Sequence, residues 1–218
     1  MATTKVIDIL DRAGIILQDN TNVRFPNEEL LKFFNDAQKE VVLHRPDATM
    51  VNTTYDCVTG SKQTLPSRAL RLIDVVRNVD GRAVTQVQRQ ILDETLPNWH
   101  EKPVGANKIE HYVYDPADPK NFYVYPTASA GAHSLEVVYS SSPDETVISD
   151  FESDVTTISV DDVYSNCLLD YVLYRSYQKD SEFAGNSQRA MMHYSGFANA
   201  LGVKTQADGA VTPVPTIG

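Results

Sequence analysis

Residues 3–46, TTKVIDILDRAGIILQDNTNVRFPNEELLKFFNDAQKEVVLHRP, decide the fold. Val6, Ile9, Leu10, Ala13, Ile16 and Leu17 recur at three- and four-residue spacing, so they share one face of a helix. After a polar break, Leu30, Phe33, Phe34, Ala37, Val41 and His44 repeat the spacing. Asn27 is placed to cap the second helix, with Glu28 and Glu29 in its first turn, where the positive end of the helix dipole favours carboxylates. Pro46 stops it, because proline lacks an amide and clashes with the preceding turn. Two such helices pack antiparallel, but two faces cannot close a core. The rest of the chain must bring more helix to cover them.

Working outward, the period changes between Met50 and Ser142. Met50 to Thr59 is rich in β-branched and aromatic residues and ends in the turn signal Thr59-Gly60-Ser61. Leu70 to Val79 predicts a strand, Asn78-Val79-Asp80-Gly81 a turn, and Ala83 to Val87 the returning partner strand. Ile91, Leu92 and Leu96 suggest a short helix broken near Pro97. Ile109, His111 and Val113 alternate with Glu110, Tyr112 and Tyr114, the mark of a half-buried strand. Residues 115–119 hold two prolines and must be a loop, after which 121–125 and 134–140 read as strands. Three successive strands with short turns favour an antiparallel meander.

Between Pro143 and Asp162 acidic residues dominate, which reads as a solvated linker. Ser159 with Asp162 resembles a capping box for the next helix. Tyr164, Leu168, Tyr171, Val172 and Arg175 hold helical spacing, a break falls near Ala184-Gly185-Asn186, and Ala190 to Leu201 carry the pattern to Gly202, a helix stop. Residues 203–218 are small, polar and proline-containing, and alone would be disordered. The expected fold is therefore α+β: a four-helix core from N- and C-terminal helices with an inserted antiparallel β module. The expected domains are a helical hairpin over 1–48, the β module with its acidic linker over 49–158, the remaining core helices over 159–202, and a flexible tail over 203–218.

Composition bounds function. The chain has 218 residues, 42% hydrophobic, and a formal net charge of −10. No run is long and apolar enough to cross a bilayer, and no secretory signal is visible, so no membrane partner is expected. The negative charge opposes tight binding to a phosphate backbone, which needs clustered Lys and Arg, though not a wall past which DNA slides. Cys57 and Cys167, far apart, read as reduced thiols. The five histidines are scattered, without metal-ligand spacing, and no nucleophile elbow or phosphate loop exists, so neither an enzyme nor a cofactor is expected. Asp144, Glu145, Asp150, Glu152 and Asp154 are numerous enough to suggest calcium, but lack the glycine and terminal glutamate of an EF-hand. Tyr164, Tyr171, Tyr174 and Tyr177 form a helical stripe that suits a protein interface better than base stacking in acidic surroundings. Arg175 lies near the same apolar face. It needs a partner, from Asp170, Asp180 or a neighbouring subunit, or else it snorkels to solvent.

Three blocks carry a resemblance. The first is Ile7, Leu10 and Arg12, then Ile16 to Asp19, Phe25 to Leu30, Phe34 to Glu40 and Arg45 to Ala48. The second is Tyr114-Asp115-Pro116, Pro119, Phe122 to Pro126 and Leu135 to Tyr139. The third is Tyr171 to Arg175, Tyr177, Lys179-Asp180, Phe197 and Leu201-Gly202. In these the chain resembles the head–tail adaptor, or connector, proteins of short-tailed bacteriophages. The resemblance implies a structural virion protein at the head–tail junction, made in the bacterial host cytoplasm. It implies a homo-oligomeric ring, with twelve copies the expected number, between the portal protein and a tail tube or nozzle protein. DNA would pass through its channel without specific binding. Tyr164, Tyr171, Tyr174, Arg175 and Tyr177 are then candidates for the subunit interface. Val211, Pro213, Val214, Pro215 and Ile217 are candidates for portal binding, since they place sparse apolar residues between prolines. The alternative is another tail or tail-accessory protein with a carbohydrate-binding β module, in which Trp99 and the tyrosines form the sugar platform.

Overall fold

A computed structural model of the chain describes residues 2–79, 81–101 and 108–211. The fold is α+β, and in chain order its elements are as follows. α1 (Val6–Leu17) and α2 (Asn27–His44) come first. β1 (Met50–Asp56), β2 (Gly60–Thr64), β3 (Ala69–Asn78), β4 (Thr85–Gln86), α3 (Arg89–Thr95), β5 (His111–Tyr114), β6 (Asn121–Ala128) and β7 (Ser134–Ser141) follow. α4 (Ser165–Lys179) and α5 (Asn186–Val211) close the described chain. Contacts divide it into a helical unit, residues up to 48 with those from 143 on, and a β unit over 49–142.

In the helical unit, Val6, Ile9, Leu10 and Ala13 of α1 share one buried cluster with Leu30, Phe34, Ala37 and Val41 of α2, Leu168 and Val172 of α4, and Phe197 and Leu201 of α5. The three-and-four spacing selects these positions, but it also selects Ile16 and His44, which are exposed near the C-terminal ends of α1 and α2. α2 starts one residue earlier than a cap at Asn27 requires. Pro26 stands at its N-cap, and its carbonyl accepts the amides of Glu29 and Leu30 at 2.9 and 3.0 Å.

Residues 143–162 are strapped to this unit. The buried Asn35 side chain donates to the Thr146 carbonyl and accepts from the Thr146 amide, both at 2.9 Å. Gln38 Oε1 accepts the Ser159 amide at 2.8 Å, and Ile148, Ile158 and Val160 enter the core. Asp162 does not act as a capping-box residue. Its carboxylate accepts the amides of Thr3 and Thr4 across the unit, at 2.8–3.0 Å. At the far end α5 does not stop at Gly202 but continues to Val211. A single glycine costs a helix only about 1 kcal/mol, too little to end one that is already nucleated.

The β unit holds two sheets, ordered β1-β7-β3 and β2-β6-β5-β4. The expected meander breaks at β7, which leaves β5 and β6 and inserts between β1 and β3, antiparallel to both. The returning strand after β3 reduces to a single bridge, Arg77 to Ala83, and β4 pairs parallel with β5 instead. The buried Asn78 side chain directs this: it donates to the carbonyls of Arg82 and Ile109 and accepts the Ile109 amide. β2 carries no apolar alternation because its inward positions are polar. Gln63, fully buried, is satisfied by the Val58 amide and by the carbonyls of Val58 and Gly60. The unit's first and last strands are neighbours: Met50 pairs with Ser140, and Thr49 Oγ1 donates to the Ser141 carbonyl at 2.5 Å.

Candidate assembly surfaces

α4 packs against α1, α2 and α5, so tyrosines on more than one of its faces are enclosed. Tyr164, Tyr171 and Tyr177 are 3%, 7% and 8% exposed. Tyr171 meets Phe197 edge-on at 5.3 Å, and Tyr177 stacks on His193 at 5.6 Å. Burial holds the Tyr171 phenol protonated, above its ordinary range. Three of the five residues assigned to a subunit interface are therefore taken up inside the subunit. Tyr174 and Arg175 remain half-buried. Tyr174 lies 5.1 Å from the half-buried Tyr194 of α5, and the Arg175 guanidinium sits 5.6 Å from the Phe33 ring of α2. Neither local carboxylate reaches Arg175: Asp170 binds His193 at 2.9 Å, and Asp180 binds Arg24. Phe33, Tyr174, Arg175 and Tyr194 thus gather at the surface from three helices. Helical spacing found Phe33 and Tyr194 as apolar positions but could not show that they border the tyrosine stripe.

The loops at one end of the helical unit form a second surface. Asp19 accepts the amides of Val23, Arg24 and Phe25 at 3.2, 2.8 and 2.7 Å, which holds its carboxyl below the usual range. That fold of the chain lays the Arg24 guanidinium 4.3 Å from the Phe183 ring, beside Asp180. Ile15, Val23 and Phe183 are exposed there at 65%, 81% and 59%. The sequence signals a turn here, but not the arginine that ties the loop before α2 to the loop before α5.

The remaining candidates do not converge. Asp150 accepts the Glu152 amide, Asp154 accepts the Thr156 amide, and Glu145 faces Lys39 at 3.6 Å. Among the described residues, no group of three or more His, Cys, Asp or Glu is placed to hold a metal ion. In the β unit, Trp99 is 3% exposed, its indole N–H donates to Asp93 at 2.8 Å, and His100 covers its ring at 3.7 Å. A buried ring cannot stack on a sugar, so Trp99 drops out as a platform; Tyr114, Tyr123 and Tyr125 stay half-buried. Cys57 and Cys167 are free and buried, and burial beside Asp56 pushes the Cys57 thiol up to about 12. Val211 is the last described residue, and nothing is described of its side chain; Pro213, Val214, Pro215 and Ile217 lie outside the described residues.

No helix among the described residues is long and apolar enough to cross a membrane. A search of curated proteins found no match. A family profile, SU10 adaptor protein, matches residues 4–215 and so spans both units. Its members are adaptor proteins of phages, structural components of the virion rather than known enzymes. By that match across nearly its whole length, this chain belongs to the SU10 adaptor protein family.

Proposed function

We propose that this chain forms a ring that joins the portal to the tail and continues the DNA channel. The observation that carries the reading is the adaptor-family match over residues 4–215. A ring is built from heterologous contacts, in which two different patches of one subunit meet. The helical unit offers two candidates, the Phe33, Tyr174, Arg175 and Tyr194 surface and the Ile15, Val23 and Phe183 end. The net charge of −10 suits a channel that DNA must traverse without being gripped. The chain beyond Gly202 is the portal-docking element in this reading, with Val211, Pro213, Val214, Pro215 and Ile217 as its contact residues. The tail tube or nozzle protein occupies the opposite side of the ring.

Electron microscopy of the protein mixed with purified portal rings tests this. The expected result is a closed ring of this chain on one face of the portal. A variant cut after Gly202 should remain folded and lose portal binding. Particles in which the portal stays bare would overturn the assembly role. Undiminished binding by the truncated chain would overturn only the assignment to its C-terminal segment.

A further inference from the structure

The two edges of the β1-β7-β3 sheet are unlike. β3 is interrupted by three register shifts against β7, and its outer side is covered where the Val84 amide bonds the Val76 carbonyl and Ala83 bridges Arg77. β1 pairs with β7 over seven residues without a shift. Among the described residues, no strand covers its other side. Natural edge strands are blunted by charged side chains, lysine above all, and by proline, bulges or shortness. β1, with the sequence MVNTTYD, has no proline, lysine or bulge, its one charge, Asp56, stands at its last position, and five of its seven residues are exposed.

Which groups face outward follows from the register. The Cys57 amide bonds the His133 carbonyl at 3.0 Å, in continuation of the β1-β7 ladder. Hydrogen bonding alternates along an antiparallel pair, so Val51, Thr53 and Tyr55 bond β7. Met50, Asn52, Thr54 and Asp56 therefore turn their amides and carbonyls outward.

We propose that this edge pairs with the β1 of a second copy, antiparallel about a two-fold axis at Thr53. The strand is self-complementary in that register. Asn52 faces Thr54 and Met50 faces Asp56, so outward-turned groups meet outward-turned groups and every one is bonded. Asp56, the only charge in the strand, meets a methionine, and no like charges oppose one another. Val51 and Tyr55, half-buried against the β-unit core, come together across the pair as a β-branched and aromatic couple. The product is a continuous six-stranded sheet. A two-fold contact stops at two copies, so this is a state of the free chain and is independent of the ring and its portal.

Sedimentation velocity of the full chain over a wide concentration range tests the pairing. The expected result is a concentration-dependent species of twice the chain mass. Thr54→Pro removes an outward amide and spares the β7 ladder. It should weaken the pair at least about tenfold, since symmetry removes two hydrogen bonds at once, while circular dichroism and melting stay as in the parent. Thr53→Cys sits on the axis at a non-bonded pair, where Cα atoms are about 4.5 Å apart, within disulfide range. Under mild oxidant it should cross-link to the two-copy mass, whereas Val51→Cys should not. A single-chain mass at every concentration, a pair that survives Thr54→Pro, or failure of Thr53→Cys to cross-link each overturns the proposal.

Discussion

The helical unit and the β unit solve the same problem, burial of an apolar face, with chain of opposite provenance. The β unit is one uninterrupted stretch, 49–142, whose strands find partners within it. The helical unit is assembled from both ends of the chain, and residues more than 100 apart in sequence are clipped together by side chains: Asn35 to Thr146, Gln38 to Ser159, Asp162 to Thr3 and Thr4. Backbone ladders close the β unit; in the helical unit, side-chain carboxylates and amides add to the backbone bonds of Val6 to Thr156 and of Ile158 to Thr4. A core built from distant segments incurs more loop-closure entropy before any contact forms. Polar clips that hold the returning segment in one register are a way of recovering specificity after that cost.

The comparison predicts different behaviour on dissection, and that is the largest effect. Residues 49–142 expressed alone should fold, with dispersed amide resonances and a cooperative melt. Residues 1–48 alone should not, because their apolar faces are covered by 143–211. An unfolded β fragment would break the contrast. At the next level, Phe34→Ala should cost about 3–5 kcal/mol, because the ring is fully buried, and the loss should appear in the unfolding of the helical unit. Phe122→Ala should cost as much in the β unit, where its ring is likewise fully buried. Hydrogen exchange resolved by residue separates the two transitions; identical protection changes in both units from either variant would erase the distinction.

The smallest effect belongs to a clip. Backbone and hydroxyl donors on Thr3 and Thr4 hold the Asp162 carboxyl well below its ordinary range. A depressed carboxylate stabilises fully above its unfolded value, about pH 4, and loses that contribution as pH falls through the lower folded value. Acid should therefore release residues 2–5 before the core opens, read as faster exchange at the Val6 and Ile158 amides. Asp162→Asn should show that release already at neutral pH and flatten its pH dependence. Unchanged exchange in the variant would mean that the backbone bonds at Val6 and Ile158 hold the segment without the carboxylate.

The α+β class and the helix positions were legible because Val6 to Ala13, Leu30 to Val41 and Leu168 to Val172 repeat at helical spacing and bury the residues that spacing selects. Pairing was not legible. Strand β2 hides because Ser61 and Gln63 face inward, so alternation runs between polar residues. β7 reads as the third strand of a meander because sequence order says nothing about which sheet it joins. The acidic stretch reads as a linker because Asn35 and Gln38, which hold it, look like ordinary polar residues on a helix. The surfaces divide the same way: periodicity finds a tyrosine stripe, but only tertiary packing decides that Tyr164, Tyr171 and Tyr177 face inward while Tyr174 and Arg175 stay at the surface.

The chain enters the β unit at Thr49 and leaves it at Ser142, and these two threads run side by side, joined from Met50–Ser140 by the sheet itself and at Thr49–Ser141 by a hydroxyl. Opposed strand residues lie about 5 Å apart, a gap that one or two residues bridge. The whole middle of the gene product can therefore be lengthened, swapped or deleted through a doorway no wider than a tight turn. A chain so constructed can vary its β unit while the helical unit, woven from the segments on either side, stays as it was.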